Sequence, residues 1–121
     1  MVFSFNGIDH FQLAAPKGCE EEARKFFVDI LGLKEIPKPE SLQSGGGCWF
    51  QCGRQEIHVG VQEDFIAAKK AHPALLVTNL GSLKEHLTKN GISFKEDFRL
   101  TDRERMFVSD PFGNRIEFLE Y

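Results

Sequence analysis

The hydrophobic positions of this chain recur with two different periods. Over residues 20–31 they recur every three or four residues, which predicts a helix with one apolar face. A second stretch with this period begins at Ser82, where Glu85 completes the spacing of a capping box, and ends near Asn90. Shorter stretches of alternating or apolar residues predict strands. The predicted strands cover residues 8–15, 33–36, 48–52, 56–62, 73–78, 92–98, 105–109 and 115–120.

The predicted elements occur twice in the same order: strand, helix, strand, strand, strand. Equivalent positions lie about 60 residues apart, near half the chain, as an internal duplication requires. The sequences agree weakly as well, since GRQEIH at 53–58 resembles GNRIE at 113–117. We therefore predict an α+β fold in one domain, 1–121, built from two tandem βαβββ modules. The modules cover about residues 5–62 and 72–121, and the linker, 63–71, is expected to contain a short helix.

Three of the four histidines and one glutamate occupy equivalent positions in the two halves. His10 and His72 belong to the first strand of each half, whereas His58 and Glu117 lie on the last strand. Strand alternation places each of them opposite the apolar residues that would pack on a helix. Imidazole and carboxylate groups are ligands for divalent transition metals such as Zn, Ni, Fe, Co or Mn. We therefore predict that these four side chains bind one metal ion.

Six further residues are candidates for a substrate pocket on the same faces. Gln12 and Glu56 each lie two residues from a predicted ligand of the same strand, and therefore on the same face. Two other strands each carry a pair of large neighbouring side chains, of which one must face away from the core by alternation. These pairs are Trp49 with Phe50 and Met106 with Phe107. The fourth histidine, His86, is expected at the solvated edge of the second helix.

Composition and charge exclude several classes of protein. Hydrophobic residues make up 41% and charged residues 27% of the chain, which is typical of a folded globular protein. The net charge is −3 without a basic cluster, so we expect no nucleic-acid partner. No apolar run approaches the ~20 residues of a membrane-spanning helix, and residues 1–11 lack the pattern of a secretory signal. Three cysteines without framework spacing fit a reducing compartment, so we expect a cytoplasmic protein.

Five stretches of the sequence resemble the vicinal oxygen chelate superfamily, which contains glyoxalases, bleomycin-resistance proteins and extradiol dioxygenases. They are GIDHFQLA at 7–14, FFVDILGL at 26–33, EIHV at 56–59, AHPA at 71–74 and DPFGNRIEF at 110–118. The last is the most specific, and together they span nearly the whole chain.

The resemblance implies paired βαβββ modules whose cupped, mixed sheets surround one metal ion. Glyoxalase I-like members carry a ligand at each of the positions filled by His10, His58, His72 and Glu117. Glutamate is more common than histidine at the second of these positions. The resemblance also implies a homodimer, because swapped dimers recur in this superfamily and curved sheets leave edges that another module covers.

The resemblance implies three functions, which the sequence leaves open. In a glyoxalase-type lyase or isomerase, the metal would hold vicinal oxygens of a small-molecule substrate and Glu117 would act as the base. In an extradiol-type Fe(II) dioxygenase, His10, His72 and Glu117 would bind iron and His58 would be an acid or base. Phe107, however, stands where that family has a tyrosine. The third function is sequestration of a drug or metabolite without catalysis. The intact ligand set favours an enzyme, with Glu117 and His58 as catalytic residues.

Overall fold

Each half of the chain folds into a four-stranded sheet. In the computed structural model, which describes residues 2–121, the first half forms β1 (His10–Ala15), β2 (Lys34–Ile36), β3 (Cys48–Cys52) and β4 (Gln55–Val61). The second half forms β5 (Ala74–Leu76), β6 (Lys95–Glu96), β7 (Glu104–Ser109) and β8 (Arg115–Glu120). The strand orders are β1-β4-β3-β2 and β5-β8-β7-β6, with one parallel pair in each sheet, β1–β4 and β5–β8. This topology confirms the predicted α+β fold of two βαβββ units.

The helix of each unit differs in detail from its prediction. The first begins as α1 (Glu20–Arg24) and continues as a π-helical segment, Lys25–Ile30. The second, α2 (Leu80–Lys89), starts two residues before the predicted Ser82. The predicted capping box is wrong, because the side chain of Asn79 accepts the hydrogen bond from the Ser82 N–H at 3.2 Å. A carboxylate on β8, that of Glu120, also accepts from the N–H groups of Asn79 and Leu80 at 2.8 and 2.9 Å.

Three other segments depart from expectation. The linker contains no helix, since Asp64 adopts a left-handed conformation (φ 53°) that turns the chain directly after β4. Residues 40–47, which lie between two predicted strands, include a 3₁₀ helix at Glu40–Gly45. The predicted strand 92–98 is reduced to β6, an edge strand that pairs with β7 over only two residues.

The helices cover one face of each sheet. In the first sheet Phe50 lies opposite Ile57, and Leu13 lies opposite Val59; all four are buried. In the second sheet Met106 lies opposite Phe118. We call the other face of each sheet the open face. In the first sheet it bears His10, Trp49 and His58, and in the second sheet it bears Phe107, Arg115 and Glu117.

In the part of the chain that the structure describes, two hydrogen bonds connect the halves. The Asn114 side-chain amide donates to the Ala14 carbonyl at 2.7 Å. The His86 Nε2 lies 2.6 Å from the Ile30 carbonyl at the end of the π-helical segment, so His86 also contacts the first half rather than solvent alone. Within residues 2–121, no helix has the length and apolar character to cross a membrane.

The three cysteines are free thiols in the structure, at positions 19, 48 and 52. Burial raises the pKa of each, and that of Cys48 reaches about 11. They therefore stay protonated at neutral pH and are poor nucleophiles and metal ligands.

Candidate functional site

Three aromatic rings stack on the open face of the first sheet. Trp49 lies directly opposite His58 in the β3–β4 register, and their ring centroids are 3.8 Å apart with planes inclined by 4°. The His10 ring covers the other side of His58 at 4.0 Å and 19°. As a result His58 is only 3% exposed, although it lies on the side of the sheet away from the helices.

Carboxylates contact both of these histidines. The Nδ1 of His10 lies 2.7 Å from Asp9 Oδ2, and the Nε2 of His58 lies 2.9 Å from Glu56 Oε1. A ring that donates to a carboxylate from one nitrogen keeps the lone pair on the other nitrogen, which is how carboxylates orient metal-binding histidines. The two rings are nearly parallel, however, so their in-plane lone pairs do not converge. Binding of one ion by both histidines requires one ring to turn.

The second pair, His72 and Glu117, is in direct contact. The Nε2 of His72 lies 2.9 Å from Glu117 Oε1, and its Nδ1 lies 2.9 Å from the Lys70 carbonyl oxygen. Both neighbours are hydrogen-bond acceptors, whereas a neutral imidazole has only one N–H to donate. A neutral ring therefore donates to only one of these acceptors, and a metal ion on Nε2 would let the ring keep both contacts.

The geometry of this second pair fits a shared metal ion. Two ligands that bind at about 2.1 Å and at right angles stand about 3 Å apart, close to the separation of these two atoms. A carbonyl that accepts from Nδ1 fixes the tautomer that leaves Nε2 free to coordinate. The donor set, imidazole with a buried carboxylate, suits a divalent transition metal.

Arg105 is a site residue that the sequence prediction missed. Its Nη1 lies 3.5 Å from Glu117 Oε2, and its Nη2 lies 3.2 Å from Asp97 Oδ2. Hydrogen bonds from Arg99 hold the pKa of Asp97 well below its ordinary value of 3.8, so Asp97 remains charged and fixes Arg105. The signal was present in the alternation of β7, which places residue 105 on the same face as Phe107.

Phe107 connects the second pair to a second arginine. Its ring meets the edge of the His72 ring at a centroid distance of 5.2 Å. The guanidinium of Arg115 lies 4.0 Å from the Phe107 centroid, within the range of a cation–π contact. Arg115 and Glu117 are two residues apart on β8 and share its open face.

The six pocket candidates divide between the two faces. Gln12, Trp49 and Glu56 share the open face of the first sheet with His58, and Phe107 lies on the open face of the second. Phe50 and Met106 are both 0% exposed on the helix-packed faces, so they are core residues rather than pocket residues. The reason is the two-residue period of strands, which turns the neighbours of Trp49 and Phe107 inward.

The four predicted metal ligands come together as two pairs, one on each sheet. Among residues 2–121, no three or more His, Cys, Asp or Glu side chains are grouped so that they could hold one ion. His10 with His58 and His72 with Glu117 thus form two separate pairs, which we call the two half-sites of the predicted metal site.

Two neighbouring cavities border the second half-site. A cavity of about 900 Å³ lies between the open face of the second sheet and linker residues 66–69, and Phe107 and Arg115 line it. A cavity of about 440 Å³ extends along β1 and includes Gln12 and His72. The two share three lining residues, which are Ile66, Ala68 and Arg115.

Comparison with known proteins relates this fold to a large group of structures. The family model described as Glyoxalase/Bleomycin resistance protein/Dioxygenase superfamily matches residues 7–118. A protein from Bacillus anthracis described as of the glyoxalase family is 55% identical, with 99% of this chain and 98% of that chain covered and a TM-score of 0.97. No curated protein sequence matches the chain.

More distant structures share the fold alone. A lactoylglutathione lyase from Agrobacterium tumefaciens is 20% identical, with 95% of this chain and 93% of that chain covered and a TM-score of 0.75. A fosfomycin resistance protein from Listeria monocytogenes is 15% identical, with 98% and 95% covered and a TM-score of 0.78.

Proposed function

This chain belongs to the glyoxalase/bleomycin resistance protein/dioxygenase superfamily, and we propose that it is a metal-dependent lyase or isomerase of the glyoxalase type. Its substrate would be a small molecule that binds the metal through two vicinal oxygens. Members of this superfamily commonly use divalent metals, and the donor set described above is compatible with one.

The observation that carries this proposal is the contact between His72 and Glu117. The His72 ring faces an acceptor at each nitrogen, 2.9 Å away, but a neutral imidazole has only one N–H. A metal cation between Nε2 and Glu117 Oε1 would take the place of the missing proton. The Glu117 carboxylate is 6% exposed and has no solvent shell to balance its charge. Arg105 balances part of that charge from the far oxygen, so a divalent ion at the near oxygen would complete the balance.

We assign His10, His58, His72 and Glu117 as the residues that would hold the ion. When bound, a divalent ion would stabilise negative charge that develops on a substrate oxygen, an effect worth several kcal/mol. Glu117 would act as the general base when its Oε1, the oxygen that faces His72, is not occupied as a ligand. Trp49 and His10 enclose the ring of His58, the second proposed acid or base, and exclude water from its faces.

We propose that the complete site forms across a homodimer. Each chain carries two half-sites, so a second copy is needed to bring His10 and His58 against His72 and Glu117. The open face around Glu117 also bears Leu76, which is 76% exposed. In such a dimer the partner would cover this exposed side chain.

The metal proposal is tested by calorimetric titration of Ni, Zn, Mn and Fe(II) into chelator-treated protein. The wild type is expected to bind at least one of these ions. Glu117→Gln should weaken binding at least tenfold, because it removes the charged ligand; a loss of 1.4 kcal/mol is about tenfold. Glu85→Gln, an exposed change on α2, is the matched control and should bind as the wild type does.

Two outcomes would contradict the proposal. One is a wild type that binds none of the four ions. The other is equal affinity in the wild type and Glu117→Gln, with both folded by circular dichroism. Either result would favour a protein that sequesters small molecules without a metal.

A further inference from the structure

The larger of the two cavities has positive but no negative side chains in its wall. Lys69, Lys95 and Arg115 line it, together with the hydroxyl groups of Ser93 and Ser109. The lining includes no aspartate or glutamate. This distribution is unusual for a chain with 18 acidic and 15 basic residues. A concave surface with one sign of charge concentrates ligands of the opposite sign.

The three positively charged side chains that line this cavity are available to a ligand. Across residues 2–121, none of these three side chains forms an ion pair. Arg105 on the neighbouring strand is different, because it is paired with both Asp97 and Glu117. The contact of Arg115 is with the face of Phe107 at 4.0 Å. A cation–π contact uses none of the guanidinium N–H groups as hydrogen-bond donors to an oxygen, so they remain available to a planar or tetrahedral anion.

The rest of the wall is apolar. Phe107 lies on the sheet side, Phe94 precedes β6, and Ile66 and Ala67 belong to the linker opposite. Such a surface suits an aliphatic or aromatic body attached to the anionic group.

Arg115 also lines the adjoining cavity that contains His72. A molecule bound to Arg115 therefore lies beside the second half-site and not at a remote surface.

We propose that this cavity binds an organic oxyanion whose charged group contacts Arg115 and Lys95 and whose apolar body lies over Phe107. A carboxylate and a phosphonate share this chemistry. The statement that such a molecule is the substrate rests on the proposed function, whereas the binding of the anion does not.

The test uses chelator-treated, ¹⁵N-labelled protein titrated with three probes that share a benzyl group: phenylacetate, benzylphosphonate and the neutral 2-phenylacetamide. At least one anion should bind saturably and shift the amide signals of Ser109 and Arg115. The amide probe should bind about tenfold more weakly or worse, because charge-assisted hydrogen bonds exceed neutral ones by roughly that factor. Added salt should weaken the binding of the anions but not the binding of the neutral amide. The comparison of the two anions identifies which oxyanion the cavity prefers.

Substitutions locate the contact. Arg115→Gln and Lys95→Gln should each weaken binding of the better anion by about three- to tenfold. The matched control is Lys34→Gln, an exposed lysine on β2, the edge strand that corresponds to β6 in the first sheet. It should bind as the wild type does. Lys95 is exposed, so its variant remains informative should Arg115→Gln fail to fold.

The proposal is overturned if neither anion binds saturably up to about 10 mM, a limit well above typical substrate concentrations. It is also overturned if the neutral amide binds equally well, or if both folded variants keep wild-type affinity. Failure of the metal proposal can be told apart from failure of this one. It would appear as absent metal binding in the calorimetric titration, while the metal-free protein would still bind the anion.

Discussion

At the scale of single residues, the environment of Glu117 depends on Arg105, which lies on the neighbouring strand β7 and was not among the predicted ligands. Its Oε1 faces His72 and its Oε2 faces Arg105, whose guanidinium is also anchored by Asp97. Both Glu117 and Arg105 are largely excluded from water, with side chains 8% and 14% exposed. A charged pair in such a place contributes to stability mainly because removal of one partner leaves the other charge buried.

Arg105→Gln is therefore expected to lower the free energy of unfolding by about 2 kcal/mol, in line with hydrogen bonds to charged groups. Urea denaturation followed by circular dichroism measures the change. Arg99→Gln is the control, because Arg99 contacts the same Asp97 but has a side chain that is 78% exposed. Because Arg99 is exposed, its substitution should lower the free energy of unfolding much less than that of Arg105. Equal losses in the two variants would show that burial of Arg105 has no energetic effect.

The limits of sequence prediction are clearest for these site residues. Alternation along β4 and β8 was sufficient to place His58 and Glu117 on the faces away from the helices. Alternation also places Arg105 on the open face, but it could not assign Arg105 to the site, because an arginine on a strand is compatible with a solvated position until its partners are known. Nor could it choose between Trp49 and Phe50, since alternation gives two solutions until the pairing register is fixed.

At the scale of elements, the strands that pair over their whole length were predicted best. β3 and β8 have the predicted bounds, whereas β6 is much shorter than its hydrophobic pattern. An edge strand has one neighbour, so its length depends on how far β7 accompanies it rather than on its own residues. The start of α2 was missed for a similar reason, since its capping groups include Glu120, which is 40 residues away from Leu80 in sequence.

The Glu120 cap predicts a pH dependence. Hydrogen bonds from the N–H groups of Leu80 and Asn79 lower the pKa of Glu120 below its ordinary value of 4.5. A carboxyl group with a lowered pKa stabilises the fold when the pH is above the group's ordinary pKa. This stabilisation is lost as the pH falls through the folded-state pKa. The free energy of unfolding should therefore decrease between about pH 5 and about pH 3.

Glu120→Gln removes the ionisable group and should give a shallower decrease over the same range. The measurement is urea denaturation at a series of pH values, with Glu85→Gln as the exposed control on α2 itself. A wild type and a Glu120→Gln variant with parallel pH profiles would argue against the cap as the source of the effect.

At the scale of the whole molecule, the duplicated architecture explains why the candidate site is divided. Each half presents two of the predicted ligands on its open face, and the halves are joined by the His86–Ile30 contact on the helix side and by the Asn114–Ala14 hydrogen bond. Nothing in the sequence distinguishes a site between the two halves of one chain from a site between two chains, because both use the same faces.

The proposed homodimer makes a prediction that a site within one chain does not. One variant carries His10→Ala with His58→Ala, and the other carries His72→Ala with Glu117→Gln, so each lacks one half-site completely. Neither alone should bind metal with wild-type affinity. After the two are mixed and allowed to exchange subunits, statistical pairing in a two-fold dimer gives heterodimers with one intact site, or about a quarter of the wild-type sites. Calorimetry on the mixture counts these sites, and light scattering verifies the dimer mass. A mixture that regains no sites although its subunits exchange would place the complete site within a single chain.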